Sequence, residues 1–504
     1  MPYELENNAV LMPKPEKDVL DQYPLLIARL QESLPAESLV LDQDALAAFD
    51  SDALAGYHQK PMLVVLPGST EEVAVTLKIC RDLNIKIVPR GGGTSLSGGA
   101  LPLADGIVLG LSRLNKVKDI DYANRCVVVE PGVTNQRITD VVAGNGFYYA
   151  PDPSSQIACT IGGNIAENSG GVHCLKYGLT TNNILGLELV TIDGDILQFG
   201  GKFMDDTGYD FLGLLTGSEG LLGIITEVTV RILKKPEVAK AMLVAFSCVE
   251  DGGRFVGDVI GAGIIPAGME MMDSFALTAV DNYCQLGYPK DAGAMLIVEL
   301  DGRRAEVDDL IQTVEAIANT NNATNIRISR DDQERETIWR GRKAAFPAVG
   351  SLSQDYLCMD GTIPRHTLPD VLNAMKEMSK KYGLDVANVF HAGDGNLHPL
   401  IMYNASIAGE QAKAEAFGAD ILKLCVEVGG VLTGEHGVGV EKRDLMETMF
   451  TDEDLKQQQR IKCAFDPNHR LNPGKVFPTL HRCAELGHMH VHKGSVKFPD
   501  LPRF

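Results

Sequence analysis

Short apolar runs alternate with amphipathic stretches along most of this chain. Met62–Leu66 reads as a strand, and Ser69-Thr70-Glu71-Glu72 follows as a capping box, with Ser69 at the helix start and Glu72 reaching back to it. Val73, Leu77, Cys80 and Leu83 then recur at helical spacing. Ile85–Val88 is a second strand that runs directly into Arg90-Gly91-Gly92-Gly93-Thr94-Ser95-Leu96-Ser97-Gly98-Gly99. Further strands are expected at 106–111 and 125–130, and again at Leu187–Ile192 and Leu221–Ile232. To about residue 235 the pattern is one mixed α/β domain whose loops build a ligand site.

Beyond residue 240, strand-like Met242–Phe246 and Ala294–Leu300 are each followed by a helical stretch, at 249–262 and 305–318. Asn325–Ser329 and a helix around Trp339 follow. The pattern predicts a second α/β domain with helices covering one side of a sheet. A strand from Val386 leads into His391, helices are expected at 370–382 and 409–428, and Gly429-Gly430 end the second of them.

Length and composition narrow the class. At roughly 100–200 residues per domain, 504 residues imply two to four domains. The 46 basic and 67 acidic side chains leave a formal charge of −21, and the basic runs are no longer than Lys234-Lys235 or Lys442-Arg443. Nucleic acid is therefore not expected as a partner, and a membrane is expected only through other subunits. The first twenty residues carry four acids and no apolar core of a signal, and no apolar stretch is long enough to span a bilayer. Ten scattered cysteines without CxxC spacing fit a reducing compartment. The expected location is the cytoplasm, or the inner face of the cell membrane by attachment to partners.

Two glycine-rich tracts carry candidate chemistry. Three consecutive glycines at 91–93 let backbone N–H groups turn toward an anion, with Thr94, Ser95, Ser97 and Arg90 as further donors. The tract fits neither a Walker loop nor the dinucleotide fingerprint, and a plain glycine turn is the alternative. The second tract holds Pro151-Asp152-Pro153-Ser154-Ser155, Thr160-Ile161-Gly162-Gly163-Asn164, Asn168-Ser169-Gly170-Gly171 and Lys176-Tyr177-Gly178. Two such loops can hold the two ends of an extended dinucleotide, and Gly217-Ser218-Glu219-Gly220 adds a third backbone approach.

A different constellation lies near the C-terminus. His391, His398, Glu435 and His436 offer imidazole nitrogens and a carboxylate of the kind that holds a divalent metal, although a histidine pair is also common in a purely structural role. The histidines at 481, 488, 490 and 492 read as a docking strand or surface tail, because no acidic or cysteine ligand accompanies them.

Together, PRGGGTSLSGG, PDPSS…TIGGNIAENSGG…KYG and GSEGLLGI resemble the vanillyl-alcohol-oxidase-type FAD-binding fold. HAGDGNLHP, GEHGVG and LNPGK place the resemblance among FAD-linked 2-hydroxy-acid dehydrogenases, beside the flavin subunits of bacterial glycolate oxidases. The resemblance covers nearly the whole chain. It implies an α+β architecture with a helical lead-in at 1–55, a two-part FAD-binding domain at 56–235, a substrate-capping α/β domain with the metal motif at 236–445, and a helical segment and tail at 446–504 that return to the flavin.

The resemblance also implies a FAD site made by Arg90, Gly91, Gly92, Gly93, Thr94, Ser95 and Gly98, with Pro131, Pro151, Asp152, Thr160, Gly162, Gly163 and Asn164. Asn168, Gly170, Gly171, Tyr177, Gly178, Glu219 and Gly223 join them, and Ile224, Ile225, Asn472, Gly474 and Lys475 are expected along the flavin. The first loop has no His or Cys for covalent attachment, so the FAD is expected to be dissociable, with Cys159 a buried residue. His391, His398 and Glu435 are the implied ligands of Zn, Mn, Fe or Co. His436 is the implied general base, with a near-neutral pKa, and Arg342 the clamp for the substrate carboxylate.

The implied reaction is oxidation of glycolate to glyoxylate by hydride transfer to FAD, with D-lactate and D-2-hydroxyglutarate as alternatives. Phe346, Tyr356-Leu357-Cys358-Met359 and Pro399-Leu400 offer little charge for a second carboxylate, which favours a short acid. The expected partners are a second FAD subunit and an iron–sulfur subunit, since the cysteines here are not clustered.

Overall fold

The apolar runs become three larger sheets and a two-stranded ribbon in a computed structural model that describes residues 12–203 and 208–478. The histidine-rich stretch at 481–492 lies outside the described residues. The first sheet has the order β1 (Leu39–Val40), β2 (Val64–Val65), β4 (Gly106–Gly110), β3 (Lys86–Arg90), with β2, β4 and β3 parallel. Ser69 caps the helix Thr70–Asp82 by accepting from the Glu72 N–H. The Glu72 carboxylate does not return to Ser69. It accepts from Gly68 N at 2.8 Å and Ser38 Oγ at 3.1 Å, and so ties the helix start to the lead-in. The lead-in helix Tyr23–Ser33 buries Leu26 and Leu30 in the core of this same sheet.

A five-stranded antiparallel sheet follows, ordered β5 (Val117–Asp121), β6 (Cys126–Val129), β10 (Ile224–Arg231), β8 (Ile184–Val190), β9 (Ile196–Gly200). A small ribbon pairs β7 (Phe147–Tyr148) with β11 (Leu233–Lys234). The long glycine- and asparagine-rich tract between β7 and β8 is mostly loop, interrupted by the short helices Ile161–Glu167 and Cys174–Tyr177.

The third sheet has nine strands. Its main path is β15 (Asn325–Ile328), β12 (Val238–Phe246), β14 (Ala294–Gly302), β13 (Gly268–Asp273), β18 (Val386–His391), β19 (Asn396–Leu397), β17 (Gly361–Thr362), and β20 (Pro399–Tyr403) joins β16 (Asp355–Cys358) to β18. Helices cover both faces of this sheet, not one. Val249–Gly261, Arg304–Thr320, Leu368–Tyr382 and Glu410–Glu427 pack on the face bearing Leu296, Val298, Met271 and Phe390. Ser274–Cys284, Asp332–Lys343 and Ala345–Gly350 pack on the face bearing Met295, Ile297 and Met272. The near-continuous apolar run of β14 is what a strand buried on both sides requires.

The chain then returns to its beginning. After the helix Asp452–Phe465, Ile87 N donates to Arg470 O and Asn472 N donates to Ile87 O, both at 2.7 Å, which lays residues 470–472 along β3 beside the first glycine loop. Lys462 Nζ, buried, donates to Leu221 O and Leu471 O. No helix among the described residues is long and apolar enough to cross a membrane.

Candidate active site

One cavity of about 750 Å³ runs from the first glycine loop to the C-terminal histidines. Its near part is lined by Arg90–Leu96, Pro131, Asp152, Thr160, Gly162–Asn164, Gly170, Gly171, Glu219 and Gly223–Ile225. Its far part is lined by Trp339, Arg342, Lys343, Phe346, Tyr356, His391, His398, Glu435 and His436. The two glycine tracts touch at its base. A Cβ on Gly91 would stand 2.4 Å from Thr160 Oγ1, and one on Gly92 would stand 2.7 Å from Ala158 O, so only glycine lets the loops meet. Thr160 caps the helix Ile161–Glu167 by accepting from Gly163 N. The Arg90 guanidinium is steadied from behind, donating to Ser51 O and resting 5.7 Å from the Phe49 ring.

Eight residues expected at the cofactor are not among those lining this cavity: Gly98, Pro151, Asn168, Tyr177, Gly178, Asn472, Gly474 and Lys475. Several hold its frame together instead. Asn472 Nδ2 donates to Gly99 O and Glu219 O, so it pins the first loop to the Gly217–Gly220 turn. Lys475 Nζ donates to Leu101 O and Asn472 Oδ1, and burial pushes its pKa down to about 8. Tyr177 Oη donates to Asp301 Oδ2 at 2.6 Å, joining the second tract to β14, and Pro151 O accepts from Asn135 Nδ2. Asn168 ends its helix with a left-handed φ of 55°.

The histidine cluster forms where β18, the 391–398 loop and the 433–437 loop converge. His391 Nε2 and His398 Nε2 lie 3.3 and 3.2 Å from the same oxygen, Glu435 Oε1. His398 sits between β19 and β20, and its ring is stacked on His436 with centroids 5.0 Å apart. His436 Nε2 is 3.7 Å from Glu435 Oε1, whereas Nδ1 faces Asp360 Oδ2 at 4.0 Å. The candidate ligand atoms of His391, His398 and Glu435 all lie within 4.8 Å of one another. Two imidazole nitrogens and a carboxylate oxygen aimed at one point fit a divalent ion.

Electrostatics separate the three imidazoles. Burial opposes charge on His391, but Glu270 and Glu435 outweigh it and hold the ring well above its ordinary pKa. Burial opposes charge on His398 too, but the nearby Asp360 and Glu435 carboxylates raise it in the same sense. His436 goes the other way. Burial dominates and pushes it down to about 4, well below the near-neutral value expected from sequence, so the ring is unprotonated at neutral pH.

Two acids that the sequence did not single out complete the cluster. Glu270, on β13, binds His391 Nδ1 through Oε1 at 2.6 Å and accepts from Arg342 Nε through Oε2 at 2.8 Å. Asp360 Oδ2 accepts from the backbone N–H groups of Gly434, Glu435 and His436 and from Thr433 Oγ1, which fixes the GEHG loop. The available signal was a lone acid among apolar residues, within a strand at Met269-Glu270-Met271 and just after one at Cys358-Met359-Asp360. Gly170 brings the cofactor tract against this cluster, since a Cβ there would lie 2.4 Å from Glu435 Oε2.

Residues 61–200 match the FAD binding domain family, and residues 235–476 match the C-terminal domain family of FAD linked oxidases. The chain is 50% identical over 485 residues to glycolate oxidase subunit GlcD of Escherichia coli K12, covering 96% of this chain and 97% of that protein. It is 30% identical over 465 residues to a D-lactate dehydrogenase of Anaerostipes hadrus, covering 90% and 97%. Among solved structures, p-cresol methylhydroxylase superposes with a TM-score of 0.78 at 18% identity, covering 93% and 98%. Matched in both of its halves, and half identical to one such protein along nearly its whole length, the chain belongs to the FAD-linked oxidases and binds FAD.

Proposed function

We propose that the chain oxidises a short 2-hydroxy acid, glycolate first among them, to the corresponding 2-oxo acid. The observation that carries this reading is the single cavity in which the FAD loops and the Arg342–histidine cluster face each other. FAD supplies the two-electron acceptor, and the protein supplies everything else. Arg342, buried and lining the cavity, offers its two terminal nitrogens to the substrate carboxylate because Glu270 engages only Nε. His391, His398 and Glu435 would hold a divalent ion of the Zn, Mn, Fe or Co kind, which when bound would lower the pKa of the substrate hydroxyl. His436 takes the hydroxyl proton at Nε2, since Nδ1 is turned toward Asp360. Burial keeps this ring unprotonated at neutral pH, and at a pKa of about 4 it is a weak base that needs an acidified hydroxyl as its proton donor.

The FAD is held without a covalent bond. The first loop contains no His or Cys, and Cys159, though it lines the cavity, has its thiol against Asn164 Oδ1 and its pKa raised by burial. On this reading electrons leave to a second flavin subunit and an iron–sulfur subunit; the word subunit in the relative's name supports a multi-subunit complex and no more. Neither metal-type cluster among the described residues, His391–His398–Glu435 or the overlapping Asp360–His398–His436, contains cysteine. Membrane association, on this reading, is through those partners.

D-lactate is the second candidate, because Trp339, Phe346 and Tyr356 give its methyl group apolar neighbours. D-2-hydroxyglutarate would need a cation for its distal carboxylate, and Lys343 is the lining residue that could supply one. Anaerobic titration with glycolate, each lactate enantiomer and D-2-hydroxyglutarate, following the flavin absorption band, tests the reading. Bleaching by glycolate or D-lactate is expected. A flavin untouched by any of the four would overturn it.

A further inference from the structure

We propose that Glu270 is a positioning residue that couples the candidate metal ligand His391 to the candidate carboxylate clamp Arg342, so that neither is placed independently of the other. The inference rests on the functional reading above.

The sheet register creates the contact. Glu270 on β13 and His391 on β18 are direct antiparallel partners, and directly opposed side chains project from the same face about 5 Å apart. The neighbours Met269 and Met271 enter the core on the opposite face, while Met272 packs on the same face as the helix Asp332–Lys343 that carries Arg342. One buried acid in an apolar strand is thereby delivered between a strand residue and a helix residue. It is 1% exposed, and no solvent reaches it to replace a lost partner.

Both carboxylate oxygens are used, one for each partner, at 2.6 Å from His391 Nδ1 and 2.8 Å from Arg342 Nε. Occupying Nδ1 fixes the ring so that Nε2 is the nitrogen turned to Glu435 and His398. Occupying Nε fixes the plane of the guanidinium and leaves its outer edge for a ligand. A carboxylate can accept from both donors at once. An amide cannot, because one of its ends is itself a donor.

Glu270→Gln is nearly isosteric and separates these effects from gross packing. FAD content should stay at one per chain, while affinity for Zn²⁺, read by competition with a chromogenic chelator, should fall about tenfold or more. Binding of oxalate, an unreactive two-carbon dianion read by its perturbation of the flavin band, should weaken by a similar factor. Arg342→Lys provides a second arm that does not require Glu270 to be altered. It keeps a cation but removes Nε, and Zn²⁺ affinity should fall severalfold although Arg342 is no ligand. Unchanged Zn²⁺ affinity in both variants, or loss of only one of the two affinities in Glu270→Gln, would overturn the coupling. A wild-type chain that takes no metal in the same titration overturns the functional reading and this inference together. A wild type that takes metal no better than Glu270→Gln overturns this inference alone.

Discussion

His398 and His436 lie face to face, their ring planes 6° from parallel, yet they differ in charge preference. His398 is drawn up by Asp360 and Glu435, and His436 is pushed down by burial. The stack therefore sets a ring that can serve as a ligand beside a ring that can serve as a base. Replacing His436 by Ala should leave FAD bound and lower the rate of flavin reduction by substrate by about 10²- to 10⁴-fold, as loss of a positioned base does. Anaerobic stopped-flow spectroscopy reads both quantities at once, and an unchanged reduction rate would remove His436 from the chemistry.

Treatment with a strong chelator should abolish reduction by glycolate without releasing flavin. Adding back Zn²⁺ or Mn²⁺ should restore it. The flavin spectrum is the control, because the glycine loops that hold FAD share no residue with the His391, His398 and Glu435 cluster.

Gly170→Ala should act through packing alone. The new Cβ would fall 2.4 Å from Glu435 Oε2 and 2.8 Å from Leu179 Cδ2, so the Glu435 carboxylate that both histidines contact must shift. A destabilisation of about 1–3 kcal/mol is expected from such overpacking, together with weaker metal binding. Thermal unfolding and chelator competition measure the two, and an enzyme unaltered in both would contradict the close approach.

The FAD should leave the protein when it is denatured with acid. Flavin recovered in the supernatant is the expected outcome for both the wild type and Cys159→Ser. Yellow colour retained in the wild-type pellet and lost in Cys159→Ser would show that this buried thiol carries the cofactor after all.

His173 joins the second glycine tract to the cap, with Nδ1 2.7 Å from Asp152 and Nε2 3.2 Å from Glu299. Burial would lower its pKa, but the two carboxylates raise it well above the ordinary value. The folded state thus holds the proton more tightly than the unfolded one. The resulting stability is complete below about pH 6.5 and is lost as pH rises through the folded value. His173→Gln should lower the melting temperature, by more at pH 6 than at pH 9. A difference that grew with pH would reverse the assignment of charge.

The parts of this molecule that were legible in the sequence are those in which chemistry is written locally. Gly91–Gly93 and Gly162-Gly163 stand out because backbone must pass close to backbone, and the GEHG and HAGDGNLH stretches place their donors within a few residues of each other. Glu270 and Asp360 were not legible, because each acts on residues far away in the chain through strand register and loop closure. The helices on the second face of the large sheet were missed for a different reason. An α/β pattern predicts helical cover on one side, yet in Ala294–Leu300 Met295 and Ile297 alternate with Leu296 and Val298, so both sides require cover. Asn472 and Lys475, expected beside the flavin, also brace the loops around the cavity, a role that their sequence motif does not reveal.

The brace at Asn472 also orders events in time. A ribosome emits the glycine loop at 91–99 and the turn at 217–220 long before it emits the side chain that pins them together. Until residue 472 has emerged, the two loops lack that pin. Firm capture of FAD is then a late step of biogenesis, and a chain terminated before this point would be expected to emerge without colour.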